Sequence, residues 1–316
     1  MPSAATSTTG APPAQTRHLA FARYAWAVLA YNLAVVLWGA YVRATGSGAG
    51  CGNHWPLCNG EVAPHSPAIA TIIEFTHRAT SGLDLALVAA LVVWGFRAFP
   101  RRHPVRLGVT LSAVFLITEA LLGASLVLLE HVARNASAAR AWSLSTHLLN
   151  TLTLLACLTL TAWWGMGRPP IRPRGKPAWM AAASLAVVMV LGVSGAIAAL
   201  GDTLFPAPSL AAGFVQDFDP AANLFVRLRG LHPLVASFAA AWLVFYAVSA
   251  APPSPDARRY SRALLMAVAG QLALGAANLL LLAPVWTQLL HLLLADLLWI
   301  SLVLLAAARL AERTPE

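Results

Sequence analysis

Long apolar runs divided by short polar segments dominate the chain, and the runs exceed what the core helices of a soluble domain require. A helix that crosses a bilayer needs about 20 apolar residues. Eight stretches reach that length, at approximately 22–44, 69–97, 105–130, 141–166, 178–200, 224–250, 262–283 and 286–308. Composition agrees: 59% of the 316 residues are hydrophobic and 10% are charged, where a soluble domain carries about 25% charged residues. The fold expected is all-α and integral to the membrane, with eight transmembrane helices. Residues 1–20, rich in Ala, Pro, Ser and Thr, lack the apolar stretch of a cleaved signal peptide and are expected to form a disordered cytoplasmic tail.

The net charge of +9 raises the question of nucleic acid, and its placement answers it. With the N-terminus inside, fifteen of the 21 Lys and Arg residues fall in inner segments, and only Arg43, Arg78, Arg134, Arg140, Arg227 and Arg229 fall at outer ends. Basic residues near spans set orientation. The split predicts a multi-pass protein of the cell (inner) membrane with both termini cytoplasmic, and nucleic acid drops out as a partner.

The chain reads as one plan written twice about a basic, proline-containing joint. Gly39 precedes His77 by 38 residues, and Gly195 precedes His232 by 37. Glu119 stands four residues before Gly123, as Gln271 stands four before Gly275. "STHLLNTLTLL" around His147 is echoed by "LLHLLLADLLWI" around His291. Four spans per half give parallel repeats with a pseudo-twofold axis along the membrane normal. The expected architecture is two pseudo-twofold-related four-helix bundles: 21–168 and 178–311, joined by a cytoplasmic linker at 169–177.

Nine histidines occur, and four of them lie inside spans. His77, His147, His232 and His291 sit on the second, fourth, sixth and eighth spans, roughly five to nine residues in, about 8–13 Å deep at 1.5 Å per residue. That is one level near the outer face. Intramembrane ionisable residues are functional candidates, although a lone histidine can equally bond a neighbouring helix. Two per half, on facing helices of a bundle, match the axial ligands of a haem. Zinc, which needs further ligands in tetrahedral array, is the lesser alternative.

The halves differ beside the first histidine of each. Glu74 stands three residues before His77, and Arg229 three before His232, a spacing that shares a helix face. A carboxylate there can accept a proton or stabilise positive charge on a reacting carbon; it can also simply cap the helix or pair with Arg78. Arg227 and Arg229, like Arg43 and Arg78 in the first half, suit haem propionates through fork-like contacts, and interfacial snorkelling is the plainer reading of each. The first half is thus expected to be reactive and the second to hold a permanent haem.

Cys51 and Cys58 stand in "GCGNHWPLCNG", in the first outer loop. A disulfide suits an oxidising compartment; a redox-active pair or a metal site are the alternatives. Cys157, inside the fourth span, reads as core packing. Asp84, Glu119, Asn150, Asn278 and Asp296 are read chiefly as bonds between helices, and Trp26, Trp142 and Trp179 as interfacial belts.

"GAYVRATGSGAGCGNHWPLCNG", "IEFTHR", "LLGASLVLL", "THLLN", "GAIAALGDTLFP" and "RLRGLHP", in that order over about residues 21–308, resemble the haem A synthase family. The resemblance implies an enzyme that oxidises the C8 methyl of haem O to the formyl group of haem A for haem-copper terminal oxidases, by two hydroxylations and loss of water from a gem-diol. It implies His77 and His147 as ligands of the substrate haem, His232 and His291 as iron ligands of a haem B cofactor, and Glu74 as the acidic residue needed for catalysis. Cys51 and Cys58 match the family's loop cysteines; the second pair that some members carry has no counterpart in residues 201–223. Implied partners are haem O handed over by a haem O synthase, an electron donor, the lipid bilayer and a second copy in a homo-oligomer. From spacing alone, a di-haem membrane cytochrome b taking electrons from quinol fits as well; a transporter of haem or small solutes would be supported only if the histidines proved dispensable for retaining haem.

Overall fold

The computed structural model describes residues 14–249 and 254–311. Among them the secondary structure is helical apart from one isolated bridge between Cys58 and Glu61. Helix α1 (Ala14–Ala44) includes residues 14–20 of the expected tail as helix; residues 1–13 lie outside the described residues. The Ala, Gln, Arg and Leu of its first turns favour a helix.

Helices α2 (Ile69–Ala98), α3 (Pro104–Leu128) and α4 (Ala138–Gly165) complete the first half, and α5 (Gly175–Leu204) opens the second. After α5 come a nine-residue helix α6 (Leu210–Phe218), a short α7 (Leu224–Arg229), α8 (His232–Ser249), α9 (Pro255–Leu280) and α10 (Val285–Ala311). Eight helical stretches are long and apolar enough to cross a membrane, with α7 and α8 together forming the sixth. Local chemistry sets several starts. Ser137, Ser209 and Ser254 accept backbone N–H bonds at the N-termini of α4, α6 and α9, and Pro255 follows its cap at the first turn.

The sixth span is broken. Pro233 cannot donate to the carbonyl of Arg229, and its ring crowds that carbonyl, so the helix stops at Arg229 and resumes at His232 across Gly230 and Leu231. The expected spans are otherwise met, most of them extended by a few residues.

Packing follows closed rings of neighbours. In the first half α1 contacts α2 and α4, and α3 contacts α2 and α4, which leaves α2 and α4 on one diagonal. In the second, α5 contacts α8 and α10, and α9 contacts α8 and α10, leaving α8 and α10 on the other diagonal. The rings meet where α4 touches α5 and α10 and where α1 touches α10. Helices α4 and α10 are the innermost, 61% and 50% of their apolar windows being buried against 17–33% for the other spans. Trp299 of α10 binds the seam by donating to the Leu152 carbonyl of α4 at 2.7 Å.

Candidate functional site

The histidines occupy those diagonals. His77 is the ninth residue of α2 and His147 the tenth of α4. His232, the first residue of α8, and His291, the seventh of α10, are the corresponding residues of the second ring of helices. Each ring lies against a glycine of the helix before it in its ring of neighbours. A Cβ on Gly39 of α1 would stand 2.9 Å from Cε1 of His77; on Gly195 of α5, 3.1 Å from Cε1 of His232; on Gly275 of α9, 3.1 Å from Cε1 of His291; and on Gly123 of α3, 3.4 Å from Nε2 of His147. The glycines that recur as landmarks along the sequence are therefore the surfaces on which the imidazoles rest.

The second ring nitrogens differ. His147 Nδ1 lies 3.1 Å from Glu119 Oε1. His232 Nδ1 is 2.9 Å from the Ser194 hydroxyl. His77 Nδ1 and His291 Nδ1 are buried and make no hydrogen bond.

Glu74 is 3% exposed, and both its oxygens are engaged. Oε1 accepts from Arg78 at 2.5 Å and Oε2 from the backbone N–H of Cys51 at 2.8 Å. Cys51 and Cys58 are joined by a disulfide. Arg78 also donates to the carbonyls of His54 and Leu57, both at 2.7 Å, so one Glu–Arg pair fastens the whole loop to α2 within a turn of His77. The Thr71 hydroxyl donates to the Gly50 carbonyl at 2.7 Å, and a Cβ on Gly50 would lie 2.4 Å from the Ala70 backbone, which only glycine permits. Exposed Glu61, at the far end of the loop, accepts the backbone N–H of His65, which holds its carboxyl below the usual carboxylate range.

The other arginines diverge in role. Arg43 reaches from α1 across the seam to the Ala199 carbonyl, the Thr203 hydroxyl and Gln288 Oε1, at 2.8–3.0 Å. Arg229 is 9% exposed and uses its guanidinium on Asp217, Asp202, Gln216 and the Phe205 carbonyl, pinning α6 over the end of α5. Arg227 is exposed. Among the remaining intramembrane polar residues, Asp84 accepts from Asn32 at 2.5 Å, Asn278 accepts from Thr287, and Asp296 has one buried oxygen without a partner. Glu119 and Asn150 bond each other between α3 and α4.

A model of the COX15-CtaA family, described as cytochrome oxidase assembly protein, matches residues 22–303. The chain belongs to this family. Curated relatives include a protein named protoheme IX farnesyltransferase from Thermus thermophilus, 50% identical over 293 residues, which are 92% of this chain and 48% of that protein. Others are named heme A synthase. That of Halalkalibacterium halodurans is 40% identical over 136 residues, 43% of this chain and 44% of its own. That of Bacillus mycoides is 45% identical over 95 residues, 30% of each. The chain spans about half the length, or less, of these curated relatives.

Two side chains that meet the histidine rings escape the sequence pattern. Ser194 stands directly before Gly195, where the first half has Trp38 before Gly39, and that mismatch was the available signal. Glu119 is visible as a landmark; its contact with His147 joins α3 to α4 and has no signature in linear spacing.

Proposed function

We propose that the chain carries a haem A synthase activity, oxidising the C8 methyl of haem O to the formyl group of haem A for haem-copper terminal oxidases. The observation that carries this reading is the repeated pair of glycine-backed histidines on diagonal helices of a COX15-CtaA family member, with a carboxylate, Glu119, against a histidine ring in the first pair. In this reading the rings of neighbours are two four-helix bundles related by a pseudo-twofold axis, with the sites near the outer face of the inner membrane. His77 and His147 hold the substrate haem; His232 and His291 hold haem B.

The donor set fits such a group. His77 and His291 each keep a buried nitrogen free of protein partners, and in His147 and His232 it is Nδ1 that is engaged, leaving Nε2 for a metal. Haem B in the second pair would supply one-electron redox chemistry. Glu74, three residues from His77 and fixed by two donors, is the residue that accepts a proton or balances charge at the reacting carbon. Cys51–Cys58 keeps the segment that holds Glu74 in place. Exposed Arg227 is the propionate partner with donors to offer, while Arg43, Arg78 and Arg229, committed within the protein, add positive potential at the same level.

The Thermus relatives, about twice as long as this chain and named for protoheme farnesylation, support a substrate handed over by haem O synthase. The decisive experiment is expression in a host that supplies haem O, followed by extraction and chromatography of the haems. Haem A or its hydroxylated precursor is expected only with the protein present, and Glu74→Ala is expected to keep its haem and lose product. Folded, haem-loaded protein that leaves haem O unmodified would instead favour a di-haem cytochrome b.

A further inference from the structure

Helix α3 presents Glu119 to α4, where three side chains one turn apart receive it. Oε1 meets His147 Nδ1 at 3.1 Å and also accepts the Thr151 hydroxyl; Oε2 accepts Asn150 Nδ2 at 2.5 Å. Asn150 is fixed in turn, donating to the Phe115 carbonyl at 2.8 Å and accepting the Thr118 hydroxyl at 2.6 Å. The carboxylate is therefore held from several directions, with Oε1 3.1 Å from one imidazole nitrogen.

The second half breaks this arrangement at the matching position. Gln271 stands where Glu119 does relative to the following glycine, but its Nε2 donates to the backbone carbonyl of His291 at 3.1 Å. Gln271 Oε1 and His291 Nδ1 are both buried and unpartnered. The one ring partner in that pair is the neutral Ser194 hydroxyl on His232. Among the described residues, three of the four histidines thus lack an anionic partner on the ring, and His147 has one.

We infer that Glu119 is a positioning residue that accepts the Nδ1 proton of His147, turns Nε2 toward the iron, and gives the haem of the first pair a lower reduction potential than the haem of the second. A carboxylate behind a ligating histidine fixes its tautomer and raises its basicity, and a more electron-rich ligand stabilises the more oxidised metal. The inference rests on the proposal that His147 ligates haem. It adds a physical reason for two otherwise matched histidine pairs to hold their haems at different potentials.

The test is an optical redox titration of the full chain purified from a host supplying haem O, with haem content measured alongside. Glu119→Gln is expected to shift the first haem's midpoint upward while keeping the haem, and Glu119→Asp to restore part of the shift. Gln271→Glu is expected to move the second haem's midpoint downward, and it decides the matter alone if Glu119→Gln does not fold. Haem retained at an unchanged midpoint in Glu119→Gln, or in Gln271→Glu, overturns the inference. His147→Ala separates the two levels: unchanged haem content there removes the ligand assignment itself, whereas haem loss there with an insensitive Glu119→Gln removes only the role of Glu119.

Discussion

Each histidine ring approaches the helix behind it as closely as a missing side chain allows, and the four approaches are unequal. A Cβ at Gly39 would collide with His77 at 2.9 Å, whereas one at Gly123 would meet His147 at an ordinary 3.4 Å. Gly39→Ala is expected to cost about 1–3 kcal/mol, the range for overpacking a filled site, and to displace the His77 ring with loss of haem. Gly123→Ala is expected to be nearly silent. Thermal unfolding midpoints and haem content check both, and equal effects would refute the steric account. At this scale, what the sequence reveals is whatever lies within a helical turn. Glu74 and Arg78 are four apart, and their pairing is legible for that reason. The second bond of Glu74, to the Cys51 N–H, depends on the path of a loop 23 residues earlier in the chain, which no helical period encodes.

Among the elements, the disulfide loop is the one whose order rests on a covalent bond and a few side-chain anchors. Cys51 and Cys58 are seven residues apart, and closing so small a loop stabilises by about 2–3 kcal/mol through the unfolded chain. Cys51→Ser with Cys58→Ser, or a strong reductant on the parent protein, is expected to lower the unfolding midpoint and to raise amide exchange in residues 50–60. A reductant that lowers the midpoint of the double variant equally would show that the bond is not the cause. Spanning helices are the most legible elements because apolar length alone identifies them; the break before His232, inside a span expected to run unbroken over 224–250, follows from Pro233. Helix α6 was not anticipated. It has nine residues, too few for a spanning signal, and its position depends on Asp217 reaching Arg229 across a turn of chain.

For the molecule as a whole, the repeated landmarks were legible and the seam between the two rings of helices was not. Landmarks repeat in order along the chain, but faces that meet lipid and faces that meet another helix are built from the same Leu, Ala and Val, so composition cannot say which is which. Polar residues that cross the seam carry that information, and Arg43 is the clearest, binding α5 and α10 from α1. Hydrogen bonds to a charged group contribute about 1.5–3 kcal/mol, so Arg43→Ala is expected to lower thermal stability by about that amount, and Gln288→Ala by less. Measured together, the two substitutions should cost less than the sum of the single effects; strict additivity would mean that Arg43 does not hold Gln288.

The contact between glycine and histidine recurs on α1–α2, α3–α4, α5–α8 and α9–α10. The smallest chemical unit of this protein is therefore a helical hairpin with a bare notch on one arm and an imidazole on the other, used four times. Its variants differ in what stands behind the ring: a carboxylate, a hydroxyl, or nothing. Any substitution made in one hairpin has three built-in controls within the same polypeptide, so the effect of a ring's partner can be separated from the effect of the fold without leaving the molecule.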